Sequence, residues 1–212
     1  MKNNKTKEYM TKKRRVRHHV NPLADRTEYS FDGFDNNNSI IVDIGADRGE
    51  FTEQLLDKFS NTKNFLVLEI RKPLAQRLKN KFKSYSNVVV FDGDATRNFE
   101  NLLKPSINKG VLIEDVYINF PDPWFKERHK KRRVINEKFI NDTKKWIQPQ
   151  TKWIFQTDQK PLFEDTIQVL QSIDKIKIEA FDKPPHNAVT KWEKAKVARG
   201  DNIYRMNFWL YN

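Results

Sequence analysis

The sequence predicts an α/β fold: a doubly wound, mostly parallel sheet with helices on both faces. Three observations carry that expectation. Short apolar runs alternate with stretches of helical spacing from residue 39 to residue 212. The runs are apolar throughout, as strands covered on both faces are, rather than alternately polar. Glycines follow directly on the first run, in DIGADRGE, where a strand must turn into a helix.

The elements follow in order. SIIVDIG (39–45) reads as a buried strand, and Phe51, Leu55, Leu56 and Phe59 mark the helix after it. NFLVLEI (64–70) is a second strand, followed by a helix at the spacing of Leu74, Leu78 and Phe82. NVVVFDGDA (87–95) is the third and DVYINF (115–120) the fourth. Ile135, Phe139, Ile140, Thr143 and Ile147 mark the next helix. KWIFQTD (152–158) is a fifth strand, with a helix at Phe163, Ile167 and Leu170, and IKIEAF and IYRMNFWL are two last strands. Strand–helix alternation implies crossover connections and therefore parallel pairing. Residues 1–38 differ: a basic arm, then HVNPLADRTEYSF, then the polar stretch DGFDNNNS. We expect an N-terminal arm and linker over 1–38, flexible in isolation with its end docked, and one domain over 39–212.

The 212 residues carry a formal charge of +12. Such a balance points to a polyanionic partner, nucleic acid or an acidic membrane surface. There is no cysteine, so no disulfide framework and no thiolate metal site, and the four histidines lack metal-ligand spacing. No metal is expected. No run approaches the ~18 apolar residues of a membrane span, and the basic N-terminus lacks an apolar signal core. A cytoplasmic location of bacterial type is expected, a plastid stroma being the other compartment that fits; monomer and homodimer both stay open.

Asp43, Glu69, Asp94, Asp122 and Asp158 fall at the carboxyl ends of five successive strands. One such acid can simply cap the following helix. Five along one edge point to a shared site, because ligands of open parallel sheets bind there. In DIGADRGE, Gly45 and Gly49 suit a tight turn, but Asp47 and Arg48 stand where a dinucleotide fingerprint needs glycine. Asp43 and Asp47 at this turn repel a pyrophosphate. They suit a cationic ligand without phosphate, such as S-adenosylmethionine. Glu69 is placed to take both ribose hydroxyls, or else to pair with Arg71 or Lys72. Asp94 is placed to accept from the adenine amino group.

NFPDPWFKERHKKRR (119–133) sets Asp122 between two prolines beside Trp124, and seven of the eight residues 126–133 can be cationic. FPDPWFKERHKKRR resembles the signature of the bacterial tRNA (guanine-N7)-methyltransferases. QTD at Gln156–Asp158 and TKWE at Thr190–Glu193 stand where that family has its T-D and T-x-aromatic-E motifs. RVRHHVNPLA is similar to the N-terminal segment of the cyanobacterial and plastid-like branch. The resemblance runs from about Val16 to the C-terminus. It implies a class I methyltransferase (Rossmann-like) fold, S-adenosylmethionine as donor and guanine 46 of the tRNA variable loop as acceptor. It further implies that Asp43, Glu69, Asp94 and Asp122 line the cofactor site, and that Lys126, Asp158, Thr190, Lys191, Trp192 and Glu193 contact the substrate. Asp47 departs from a second glycine found in many members, and Trp192 from Phe or Tyr.

Guanine N7 carries a lone pair and no proton, so its methylation needs no general base. It needs alignment and fixed negative charge, since the purine becomes cationic as it accepts. Asp122, as the catalytic group, and Asp158 are the candidates for that work. Lys126, Arg128, Lys130, Lys131, Arg132 and Arg133 are expected at phosphates, with Lys12 to His19 as a second contact. Trp124 either stacks on a base or covers the core. Rival readings are an exocyclic-amine methyltransferase, whose corner has a different residue order, a non-enzymatic RNA-binding module, and a nicotinamide dehydrogenase.

Overall fold

A computed structural model describes residues 19–212. The basic segment Lys12–His18, expected at phosphates, lies outside the described residues. The elements are β1 (Ile40–Ile44), α1 (Glu50–Phe59), β2 (Asn64–Glu69), α2 (Lys72–Lys81), β3 (Val88–Asp92), α3 (Ala95–Asn108) and β4 (Ile113–Asn119). They continue with α4 (Glu137–Lys144), β5 (Lys152–Thr157), α5 (Lys160–Gln171), β6 (Ile176–Ala180), α6 (Lys191–Val197) and β7 (Tyr204–Leu210). The seven strands form one sheet in the order β3-β2-β1-β4-β5-β7-β6. Pairings from β3 to β5 are parallel; β7 runs antiparallel to both β5 and β6.

Strand side chains alternate between faces, so each apolar run feeds two cores. Val42, Leu66, Leu68, Val116, Ile118, Trp153 and Phe155 face one way. They meet Phe99 and Leu102 of α3, Phe139 and Ile140 of α4, and Leu162 and Leu170 of α5. Ile41, Phe65, Val67, Tyr117 and Ile154 face the other way, against Phe51 and Leu55 of α1 and Leu78 of α2. This two-sided burial is why the strands read as continuous apolar runs.

Two helices differ from the sequence expectation, which put none between the third and fourth strands and none at TKWE. Helix α3 buries Ala95, Phe99, Leu102, Leu103 and Ser106 along one side and tolerates Pro105 in its last turns. The proline masks the periodicity in sequence, and packing outweighs its local cost. Helix α6 is too short for periodicity to show and starts from its Thr190 cap, whose side chain accepts from the Glu193 N–H.

The segment before β1 docks on the sheet edge. Tyr29 and Phe31 lie against Phe91 of edge strand β3, with ring centroids 5.2 and 5.7 Å away. The Tyr29 hydroxyl donates to Asp92 at 2.8 Å, and burial leads that bond in pushing the phenol up to about 12. Covering β3 protects an otherwise open pairing edge. Among the described residues no helix is long and apolar enough to cross a membrane.

Candidate functional site

Strand order reverses between β1 and β4, and a crevice opens outside the carboxyl ends of the strands there. It holds a cavity of about 890 Å³, large enough for a nucleoside-sized cofactor together with a base. Asp43, Gly45, Glu69, Asp94, Asp122, Asp158, Thr190, Lys191 and Trp192 all line it. Lys126 and Glu193 are not among the lining residues.

The β1–α1 turn forms one wall. Gly45 has φ +81, and a Cβ built on it meets nothing within 4 Å among the described residues, so the backbone faces open cavity. Gly49 has φ +71 and a packing reason as well: a Cβ there would lie 2.6 Å from Leu78 and 2.9 Å from Phe82. Asp47 takes φ 51 without being glycine, a conformation asparagine and aspartate tolerate best. Asp43 beneath the turn is 3% exposed. Burial raises its pKa to about 6, against the opposing hydrogen bond from Thr52 Oγ1 at 2.6 Å.

Glu69 is pre-oriented. Its carboxylate accepts from the Asp47 N–H at 2.9 Å, from the Arg71 N–H at 2.8 Å and from the Arg71 guanidinium at 2.8 and 2.9 Å. The Arg71 partnership, one of the two sequence alternatives, is therefore formed. Asp94 caps α3, accepting from the Thr96 N–H at 3.1 Å and its hydroxyl at 2.9 Å, and burial lifts its carboxyl above the usual range.

The proline corner is a strained loop pinned at both ends. Phe120 and Trp124 have φ 49 and 44, left-handed values that bulky residues rarely adopt. The Phe120 N–H donates to the Gln156 carbonyl at 2.8 Å, and Arg133 Nε donates to the Pro123 carbonyl at 2.9 Å. Asp122, between these pins, meets His19 Nδ1 at 2.7 Å across the cleft. Trp124 lines the cavity with the Arg132 guanidinium 5.0 Å from its ring centroid and His19 5.9 Å away.

The expected row of phosphate cations needs correction. Arg133 is 9% exposed and ion-paired to Asp165 at 2.9 Å, so it fastens the corner and is closed to a phosphate. Lys130 pairs with Glu127 at 2.9 Å and with Asp165 at 3.4 Å. Lys126, Arg128 and Lys131 are exposed.

Asp158 ends β5 and faces α6. Burial pushes its carboxyl up, but the Lys196 ammonium at 2.6 Å and the Gln159 amide at 2.7 Å outweigh it and hold the pKa below the usual range. Trp192 is 53% exposed over the cleft mouth, with Lys196 4.9 Å from its ring centroid. Lys191 pairs with Glu50 at 2.6 Å. Glu193, read from sequence as a substrate contact, is 1% exposed and ion-paired to Arg205. Sequence reasoning put His19 among the phosphate contacts, whereas it meets Asp122, and it missed Lys196, Asn119 and Arg205. Only Arg205 left a sequence signal, as a lone cation inside the last apolar run.

A family model described as "Putative methyltransferase" matches residues 37–206. The chain belongs to this methyltransferase family. Among relatives, the Clostridium botulinum (strain 657) tRNA (guanine-N7)-methyltransferase is 35% identical over 141 residues, 63% of this chain and 62% of that protein. The chain spans about three-fifths of that relative's length. A Lactobacillus acidophilus tRNA (guanine-N7)-methyltransferase is 28% identical over 198 residues, 88% of this chain and 87% of that one. In fold, the chain is similar to a precorrin-6y C5,15-methyltransferase from Geobacter metallireducens, with TM-score 0.54 at 11% identity, covering 81% of this chain and 79% of that one.

Proposed function

We propose that this protein transfers the methyl group of S-adenosylmethionine to N7 of guanine 46 in the variable loop of tRNA. One observation carries the reading. Asp43, Glu69, Asp94, Asp122 and Asp158 converge on a single cleft whose rim is basic and aromatic. A cation-accepting floor inside an anion-attracting rim suits a sulfonium donor and a polyanionic acceptor together. The names of the two relatives described above support the same substrate.

The cleft fits the cofactor by its donor set. Asp43 and Glu69 give negative charge where a sulfonium and an ammonium need it, and the open space at Gly45 lets a ligand lie against the backbone. Glu69 takes ribose hydroxyls in place of its bonds from the Arg71 guanidinium, and Asp94 takes the adenine amino group. S-adenosylmethionine supplies an activated methyl group on sulfur.

The chain's own residues do the rest. N7 offers its lone pair directly, so no side chain removes a proton. Asp122, held by flanking prolines and two backbone pins, stabilises the charge that spreads into the purine. Asp158, kept ionised by Lys196, is an acceptor only and takes guanine N1–H and the exocyclic amine. Thr190, Lys191 and Trp192 close over the base, while Lys126, Arg128 and Lys131 meet phosphates and fix register without reading sequence. Glu193 works from behind, as the anchor of α6. The compartment we propose is the cytoplasm, where tRNA is at hand.

The test supplies the purified protein with methyl-labelled S-adenosylmethionine and tRNA, then digests the product to nucleosides. Label in 7-methylguanosine, lost when guanine 46 is replaced, is expected. Label in N6-methyladenosine, or in no nucleoside, ends the proposal.

A further inference from the structure

Three side chains stand opposite one another in register at the ends of three adjacent strands. Asn119 of β4 faces Gln156 of β5, and Gln156 faces Arg205 of β7. Arg205 Nε donates to Gln156 Oε1 at 2.8 Å, and Gln156 Nε2 donates to Asn119 Oδ1 at 2.6 Å. A guanidinium has donors and no acceptor. It therefore fixes which end of Gln156 is oxygen, and Gln156 in turn fixes Asn119. Turning over either amide sets two donors or two acceptors against each other.

Two of these three side chains are sealed from water: Gln156 is fully buried and Arg205 is 8% exposed. Arg205 is itself held by Glu193 and by the Asp182 carbonyl at 2.8 Å. What the relay leaves over is Asn119 Nδ2, a buried amide donor with no partner among the described residues. An unmet buried donor is unfavourable, and a network that fixes one in this orientation holds it ready for an acceptor. Asn119 lines the cavity three residues before Asp122.

We propose that Asn119 Nδ2 reads an acceptor oxygen of the bound base, O6 of guanine, and that Gln156 and Arg205 are the positioning residues that set its polarity. The inference rests on the guanine-N7 reading above. On the purine edge that carries N7, guanine adds the O6 acceptor and adenine adds an amino donor. A fixed donor beside the accepting nitrogen welcomes the first and opposes the second. It is also neutral. A lysine or arginine in its place would oppose the positive charge that grows on the ring, whereas an amide reads O6 without that penalty. The carboxylates thus test the N1–H side of the base, and Asn119 tests the side where the methyl group arrives. The same donor chemistry would serve the cofactor's carboxylate, and the experiment separates the two.

Wild type, Asn119→Ala, isosteric Asn119→Asp and Gln156→Glu are compared on tRNA carrying guanine or 6-thioguanine at the target position. The thio base keeps N1–H and N7 but replaces O6 with a poor acceptor. N7-methylated product is counted after digestion, and S-adenosylhomocysteine affinity is measured by calorimetry. Wild type should lose about tenfold in kcat/KM on the thio base. The Asn119 variants should lose about 10- to 100-fold on guanine, and prefer guanine over the thio base by less than about twofold. Gln156→Glu, which turns the Asn119 amide over without touching the base, should match Asn119→Asp. Cofactor affinity should stay within about twofold throughout. Full discrimination retained by all the folded variants overturns this inference alone. Weakened S-adenosylhomocysteine binding with unchanged tRNA kinetics overturns it in favour of the cofactor's carboxylate. A wild type inactive on guanine-bearing tRNA removes the functional reading and this inference with it.

Discussion

Asp43 is a carboxylate kept 3% exposed beneath the cleft, with its pKa raised by burial to about 6 from an ordinary 3.8. Between those values the folded protein keeps a proton that the unfolded chain has released. Stability therefore falls as pH rises through that window, and at neutral pH the ionised group costs about 3 kcal/mol. A bound cation reverses the sign locally, which is a physical reason to leave the acid there. Asp43→Asn should gain roughly 1–3 kcal/mol in urea unfolding at pH 7.5, about half as much at pH 5 and little below about pH 3.8, while weakening S-adenosylmethionine binding. Equal stabilities at pH 7.5 would show that the buried charge is met by some other group. At the corner, Asp122→Ala should cut turnover about 10²–10³-fold. Turnover within a few-fold of wild type would leave Asp122 as the partner of His19 and nothing more.

Helix α6 illustrates how an element is located by one buried ion pair. It is a seven-residue helix with one buried residue, Glu193, so apolar burial contributes little to holding it. Its place over the cleft depends on Glu193 meeting Arg205 and on Lys196 meeting Asp158. Removing one member of a buried pair strands the other, at about 3–5 kcal/mol. Arg205→Met should destabilise the protein by that order and raise KM for tRNA, and adding Glu193→Gln should recover much of the stability. Strictly additive losses in the double variant would mean that the two side chains do not depend on each other. Gly49 tests the β1–α1 turn in the same way. Gly49→Ala combines a strained φ with contacts to Leu78 and Phe82 closer than side chains accept, and urea unfolding should show a loss of about 1–3 kcal/mol.

At the scale of the molecule, a net charge of +12 surrounds a cleft floored with carboxylates. The cations are not equivalent. Lys126, Arg128 and Lys131 are exposed, whereas Arg133 is spent on Pro123 and Asp165. Replacing the three exposed residues by serine should weaken tRNA binding and lower the slope of log affinity against log salt by about 2–3. An unchanged slope would exclude them from the interface. Arg133→Met should instead loosen the corner, with a fall in turnover at nearly constant salt slope.

Sequence alone determined the parallel sheet, the strand ends and the acids on them, because continuous apolar runs and strand-end carboxylates are local patterns. It also determined the proline corner, whose backbone is restricted residue by residue. It did not show α3, where Pro105 and polar neighbours hide a stripe that only packing against the sheet makes helical, nor α6, held by a partner on another strand. The family resemblance assigned Glu193 to the substrate and the charge run assigned Arg133 to phosphate, since charge in a sequence reads as exposed until a partner is seen. The Arg205–Gln156–Asn119 relay belongs to the tertiary structure entirely. Its members lie far apart in the chain, and the direction of each amide follows from which atoms the sheet register brings opposite one another.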